Sequence, residues 1–157
     1  MSARAYIGLG ANLGQARETI ERALDALEHT PGIDSLVAAP FYGSDPVDAT
    51  GPSFVNTVAE VRTHLEPLAL LDALQAIEDR YGRERPYRNA PRTLDLDLLW
   101  YENVTMKTAR LTLPHPRMHE RAFVLKPLSD LNAGLTLGQG SIGELLEQCG
   151  DQKLWPL

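Results

Sequence analysis

Phe54-Val55-Asn56-Thr57-Val58-Ala59-Glu60-Val61-Arg62-Thr63-His64 is the stretch on which the fold turns. Phe54, Asn56, Val58 and Glu60 fall on one side of an extended chain, and Val55, Thr57, Ala59 and Val61 on the other, so the run reads as a long strand. It follows another strand, Ile33 to Tyr42. Between them lies only a breaker-rich loop, which opens with Gly43-Ser44-Asp45-Pro46 and contains Gly51-Pro52. Two strands in direct succession interrupt the strand-helix alternation of a parallel sheet.

Outward from this pair the elements are symmetric. Upstream, Ala5 to Leu9 reads as a short strand running into Gly10-Ala11-Asn12-Leu13-Gly14. A helix over Gln15 to His29 follows, with Ile20, Leu24 and Leu27 on the face shared by Ala16 and Ala23, and Pro31-Gly32 ends it. Downstream, Pro67 opens a helix over about 67–81 carrying Leu68, Leu71, Leu74, Ile77 and Tyr81, which Gly82 can end. Residues 83–92 hold two prolines and five charges and read as a solvated loop of the kind that carries function. Thr93 to Tyr101 is again a strand, and helices are expected from Glu120 or Arg121 to Leu131 and around Ser141 to Gln148. The order β-α-β-β-α-β predicts an α+β, ferredoxin-like fold. Its core would be a four-stranded antiparallel sheet with helices packed on it and extra C-terminal helices, all in one domain over 1–157.

The chain has 157 residues, 43% hydrophobic and 23% charged, which suits one domain able to bury its own core. Its single cysteine, Cys149, has no internal partner, and Met1-Ser2-Ala3-Arg4 lacks the apolar region of a signal peptide. A reducing, cytoplasmic location is expected. No apolar run approaches the roughly 20 residues of a membrane span. A net charge of −6 disfavours nucleic acid and anionic membranes, which reward a positive field. The charge is unevenly spread: residues 1–79 carry −8, residues 80–126 carry +5 and residues 127–157 carry −3. Five arginines, Arg80, Arg83, Arg85, Arg88 and Arg92, fall within thirteen residues, a composition suited to forked hydrogen bonding with phosphate or carboxylate.

Three groups of residues could carry chemistry. Gly8-x-Gly10-x-x-x-Gly14 is a loose relative of the dinucleotide-binding fingerprint, with the wrong third spacing; a tight turn with Asn12 as a local hydrogen-bonding partner is the structural alternative. In Arg92-Thr93-Leu94-Asp95-Leu96-Asp97-Leu98 the two aspartates share a face while the leucines enter the core. Any half-exposed strand shows such alternation, but paired carboxylates beside an arginine-rich loop also suit Mg²⁺ shared with substrate phosphates. The third group is Arg110-x-Thr112-x-Pro114-His115-Pro116, followed by Arg121-x-Phe123.

The string Asn89-Ala90-Pro91-Arg92-Thr93-Leu94-Asp95-Leu96-Asp97-Leu98, with Pro114-His115-Pro116 and Arg121-x-Phe123 after it, resembles the 6-hydroxymethyl-7,8-dihydropterin pyrophosphokinases of folate biosynthesis. The resemblance extends over nearly the whole chain. It implies the ferredoxin-like fold and transfer of the β,γ-pyrophosphate of ATP to the pterin hydroxymethyl group. It further implies that Asp95 and Asp97 hold two Mg²⁺ ions. Arg83 and Arg92 would close over the triphosphate, with Arg85 and Arg88 in support. Gln75, Glu78, Leu98, Arg110, Thr112, His115 and Arg121 match nucleotide contacts. The pterin would lie between Phe54 and Phe123, read by Asn56 and by groups near Ser44, Asp45 and Val47, with Asp95 completing the pocket. Many relatives carry an aromatic residue and glycine where this chain has Asn89-Ala90, and Tyr87 is the nearby aromatic substitute. Loops 43–53 and 82–92 are expected to close over the two small-molecule substrates, and a monomer is the expected state. The rival readings are a ferredoxin-like nucleic-acid-binding module using Arg83 to Arg92, and a dinucleotide-dependent oxidoreductase.

Overall fold

The computed structural model describes residues 2–12, 15–45, 53–82 and 94–157. The chain opens with strand β1 (Ala3–Ala11), helix α1 (Ala16–Glu28), strands β2 (Ile33–Ala38), β3 (Tyr42–Ser44) and β4 (Phe54–Thr63), helix α2 (Pro67–Gly82) and strand β5 (Asp95–Tyr101). It continues with the short strands β6 (Met106–Lys107) and β7 (Thr112–Leu113), a 3-10 turn over Met118–Glu120 and helix α3 (Ala122–Leu131). The hairpin β8 (Thr136–Leu137) and β9 (Gly140–Ser141), helix α4 (Ile142–Gln148) and strand β10 (Leu154–Pro156) complete it.

One antiparallel sheet in the order β10-β3-β4-β1-β5, with β2 also on β4, organises the molecule. Among the described residues it has six strands rather than the four expected. Ile33 to Tyr42 is not one strand. Pro40, which has no amide to give a ladder, lies in a break where Thr57 Oγ1 donates to the Ala39 carbonyl at 2.9 Å. Pairing resumes at Tyr42, so Gly43 and Ser44, expected in a loop, are sheet residues facing Val55 and Phe54. The partner that makes this possible, β10, comes from more than a hundred residues downstream. A Cβ on Gly43 would overlap the Trp155 indole, which occupies that space.

The central strands are covered on both faces. On one face, α1 buries Ile20, Ala23 and Leu27, spaced three and four apart, while α2 buries Leu70, Leu71, Leu74 and Ile77 against Ile7, Leu9, Ala59, Val61, Leu96 and Leu98. Each large aliphatic side chain buried there contributes roughly 1.5–3 kcal/mol. On the other face, α3 and α4 close over Tyr6, Val58 and Leu99 with Val124, Leu125, Leu128, Ile142 and Leu145. The second layer stops short of one end of the sheet, where β1 carries only glycine side positions. That end is the site.

Candidate active site

Asp95 and Asp97 leave β5 on the same face, whereas Leu94, Leu96 and Leu98 are buried in the core. Glu78, near the end of α2, accepts the Leu96 amide through Oε2 at 2.8 Å, tying the helix to the peptide between the two aspartates. Across the ladder Asp95 faces Gly10 and Asp97 faces Gly8. The next strand presents Asn56 opposite Gly10 and Val58 opposite Gly8. Glycine thus leaves an open floor between the carboxylates and Asn56. A Cβ at Gly10 would come within 3.2 Å of Asn56 Oδ1. Asn56 is 4% exposed, and its Nδ2 donates to Ser44 Oγ at 2.7 Å.

A cavity of about 230 Å³ stands over this floor, lined by Gly8, Gly10, Ser44, Asp45, Phe54, Asn56, Asp95, Asp97, Arg121 and Phe123 among others. The structure therefore brings together the expected pterin contacts, except Val47, which lies outside the described residues. Arg121 stands in this cleft with Phe123, its guanidinium carbon 5.7 Å from the ring centroid. A second cavity of about 260 Å³ is lined by Leu71, Leu96, Asp97, Leu98, Arg110, Thr112, His115 and Pro116 among others. Asp97 borders both. Leu98 keeps its side chain in the core while its residue lines the second cavity. Gln75 does not line that cavity. It accepts from Arg110 Nη2 at 3.2 Å, beside the Arg110–Asp72 pair at 2.6 Å.

His115 is held from two directions. Its amide donates to the Leu99 carbonyl at 2.7 Å, and its Nδ1 accepts the Arg117 amide at 3.1 Å, so the neutral ring carries its proton on Nε2. Burial lowers its pKa below the usual histidine value; Asp97 pulls it up, and Arg121 and Arg117 push it down. Burial thus favours the neutral ring.

Arg83, Arg85, Arg88 and Arg92 lie outside the described residues, as do Tyr87, Asn89, Ala90 and Gly14. Gly8 and Gly10 are strand residues rather than parts of a phosphate loop or tight turn. Their contribution, a cleft floor without side chains, was not legible from spacing. An alternation of glycines in the strand before the turn was the available signal.

The two carboxylates, two residues apart on one strand face and opposite glycines, offer hard oxygen donors of the kind that suits Mg²⁺. The family model for 7,8-dihydro-6-hydroxymethylpterin-pyrophosphokinase (HPPK) matches residues 6–133. The chain belongs to the HPPK family. A 2-amino-4-hydroxy-6-hydroxymethyldihydropteridine pyrophosphokinase of Pseudomonas aeruginosa is 49% identical over 151 residues, covering 95% of this chain and 93% of its own. The enzyme of that name from Haemophilus influenzae is 42% identical, with 96% and 95% covered. Among solved structures, an HPPK-DHPS in complex with substrates superposes with a TM-score of 0.75 at 13% identity, over 94% of this chain. A Plasmodium falciparum HPPK-DHPS triple mutant gives 0.73 at 14%. This chain spans less than half the length of those two solved chains, 43% and 44%, and the likeness to them is one of HPPK fold.

Proposed function

We propose that this HPPK-family chain transfers the β,γ-pyrophosphate of ATP to the hydroxymethyl group of 6-hydroxymethyl-7,8-dihydropterin, releasing AMP, in folate biosynthesis. The observation that carries this reading is the meeting of two cavities at Asp97, one with aromatic and amide walls, the other bordered by Arg110, Thr112 and His115. A flat heterocycle fits between Phe54 and Phe123, with Asn56 reading its amide-like edge and Ser44 holding Asn56 in register. The nucleotide takes the second cavity. Its triphosphate then runs past Asp97 toward the pterin.

The hydroxymethyl oxygen attacks the β-phosphorus in line. The bond from that phosphorus to the α,β-bridging oxygen breaks, AMP leaves with the α-phosphate, and the hydroxyl proton passes to solvent. Asp95 and Asp97 would hold magnesium, which when bound would neutralise charge on the phosphates and lower the pKa of the attacking hydroxyl. Arg110 and Arg121 meet phosphate charge from the two cavities, and neutral His115 donates from Nε2. Family resemblance assigns Arg83 and Arg92, supported by Arg85 and Arg88, to the triphosphate. The antiparallel order β5-β1-β4-β2 supports a ferredoxin-like arrangement within a wider sheet. One domain over 1–157, acting as a cytoplasmic monomer, completes the reading.

Incubation with Mg²⁺, ATP and the pterin should yield AMP and the pterin pyrophosphate. ADP as the product, or AMP released equally fast without pterin, would refute it.

A further inference from the structure

The first turn of α3 lacks a cap of its own. Arg121 occupies the N-cap position, offers no side-chain acceptor and makes no capping bond. Pro127, inside the helix, has no amide for the Phe123 carbonyl. The missing partner comes from thirty residues downstream. Gln152 Oε1 accepts the Ala122 amide at 2.8 Å, and Gln152 Nε2 donates to the Glu120 carbonyl at 2.7 Å. One side-chain amide therefore grips the peptide groups on either side of Arg121.

Two residues later the chain enters β10, where Leu154 pairs with Ser44. Arg121 and Phe123 form one wall of the proposed pterin cleft, and Ser44 belongs to the other. Asp151, Gln152 and Lys153 border a wider hollow of about 530 Å³ that both walls share. The stretch from Gln152 to Leu154 thus spans from one wall to the other.

We infer that Gln152 is a positioning residue for the pterin pyrophosphokinase reaction: it fixes the backbone at Arg121 and so the angle at which Phe123 faces the Ser44 wall. This rests on the functional reading above. Phe123 binds the ring alike in the ground and transition states, so its misplacement weakens substrate binding more than turnover.

The test is steady-state kinetics on the full chain. Gln152→Leu, an apolar side chain one atom shorter, removes both bonds; it should raise the pterin KM about tenfold with kcat changed by no more than about twofold. Gln152→Glu keeps the acceptor for Ala122 N–H and should fall between Leu and wild type. Should the leucine variant fail to fold, the glutamate variant carries the comparison. In a Phe123→Ala background, Gln152→Leu should add little, because the ring it orients is gone. Fully additive losses in the double variant, or a lowered thermal midpoint with unchanged pterin KM, would overturn the inference. A wild-type enzyme that forms no AMP from ATP and pterin defeats the functional reading itself, whereas an active wild type matched by an equally active Gln152→Leu defeats this inference alone.

Discussion

Replacing Gly10 by alanine adds a single methyl to the floor of the cleft, and the structure says what that methyl meets. Its Cβ would sit 3.2 Å from Asn56 Oδ1, so Asn56 must yield by a few tenths of an ångström. Asn56 is poorly placed to yield, being buried and bonded to Ser44 Oγ at 2.7 Å. Stretching or breaking that bond leaves a buried amide without its partner, a cost of about 1–3 kcal/mol. The smaller conformational freedom of alanine in the unfolded chain returns about 0.4–1 kcal/mol. At the middle of both ranges a net loss of about 1.3 kcal/mol remains, which in a chain of this size lowers the thermal midpoint by about 3–5 °C. The pterin KM should rise as well, since Asn56 borders the cavity. Gly8→Ala is the internal control: its Cβ would lie 3.4 Å from Leu99 Cδ1, an ordinary contact, so its midpoint should stay near or above that of wild type. Thermal denaturation and pterin titration of the two variants side by side decide the matter. A Gly10→Ala enzyme as stable as wild type, with an unchanged pterin KM, would show that the floor tolerates a side chain and that the packing argument is wrong.

Asp95→Ala and Asp97→Ala should each lower kcat by at least about a hundredfold while circular dichroism stays native; retained turnover in both would remove the carboxylates from the reaction. The Arg110–Asp72 pair is exposed on both sides, so Asp72→Ala should change the ATP KM by less than about fivefold, and a larger effect would mean the pair is pre-organised for nucleotide. Burial, then the Asp130 carboxylate that accepts its hydroxyl, raises the Tyr42 pKa to about 12 from 10. Because the folded value is the higher, that contribution is complete below pH 10 and is lost as pH rises toward 12. Urea midpoints should therefore decline across that window, and less so in Tyr42→Phe; equal slopes in both proteins would contradict the assignment.

What the sequence revealed was what local periodicity encodes. Alternation over Phe54 to Thr63 and Leu94 to Leu98 marked two sheet strands, because a period of two survives whatever lies beside them. The shared face of Asp95 and Asp97 came from the same rule. The helices were legible from Leu71, Leu74 and Ile77 and from Ile20 and Leu27 for the corresponding reason, although Leu70, which the threefold spacing passed over, is fully buried and Leu68, which it included, is exposed. Gly43 and Ser44 carried no such mark. They are strand residues because β10 pairs with them and Trp155 fills the space a side chain would need, and no window around position 43 contains residue 155. Gln152 escaped notice likewise, since its partners lie at Glu120 and Ala122. Gly8 fell within the expected strand and Gly10 was read as the start of a turn, because glycine spacing alone does not distinguish a bend from an uncovered stretch of strand.

Strand β10 also determines where the sheet stops. The Leu157 amide reaches inward to the Phe41 carbonyl at 3.0 Å, so in the alternating strand geometry position 156 directs its nitrogen outward. That residue is Pro156, which has no hydrogen to donate there. A neighbouring molecule approaching this rim finds a short strand in which proline occupies one of the two outward donor positions, 154 and 156, a poor template for adding another strand. The segment that joins the cleft walls from behind therefore also discourages the sheet from growing into a second molecule.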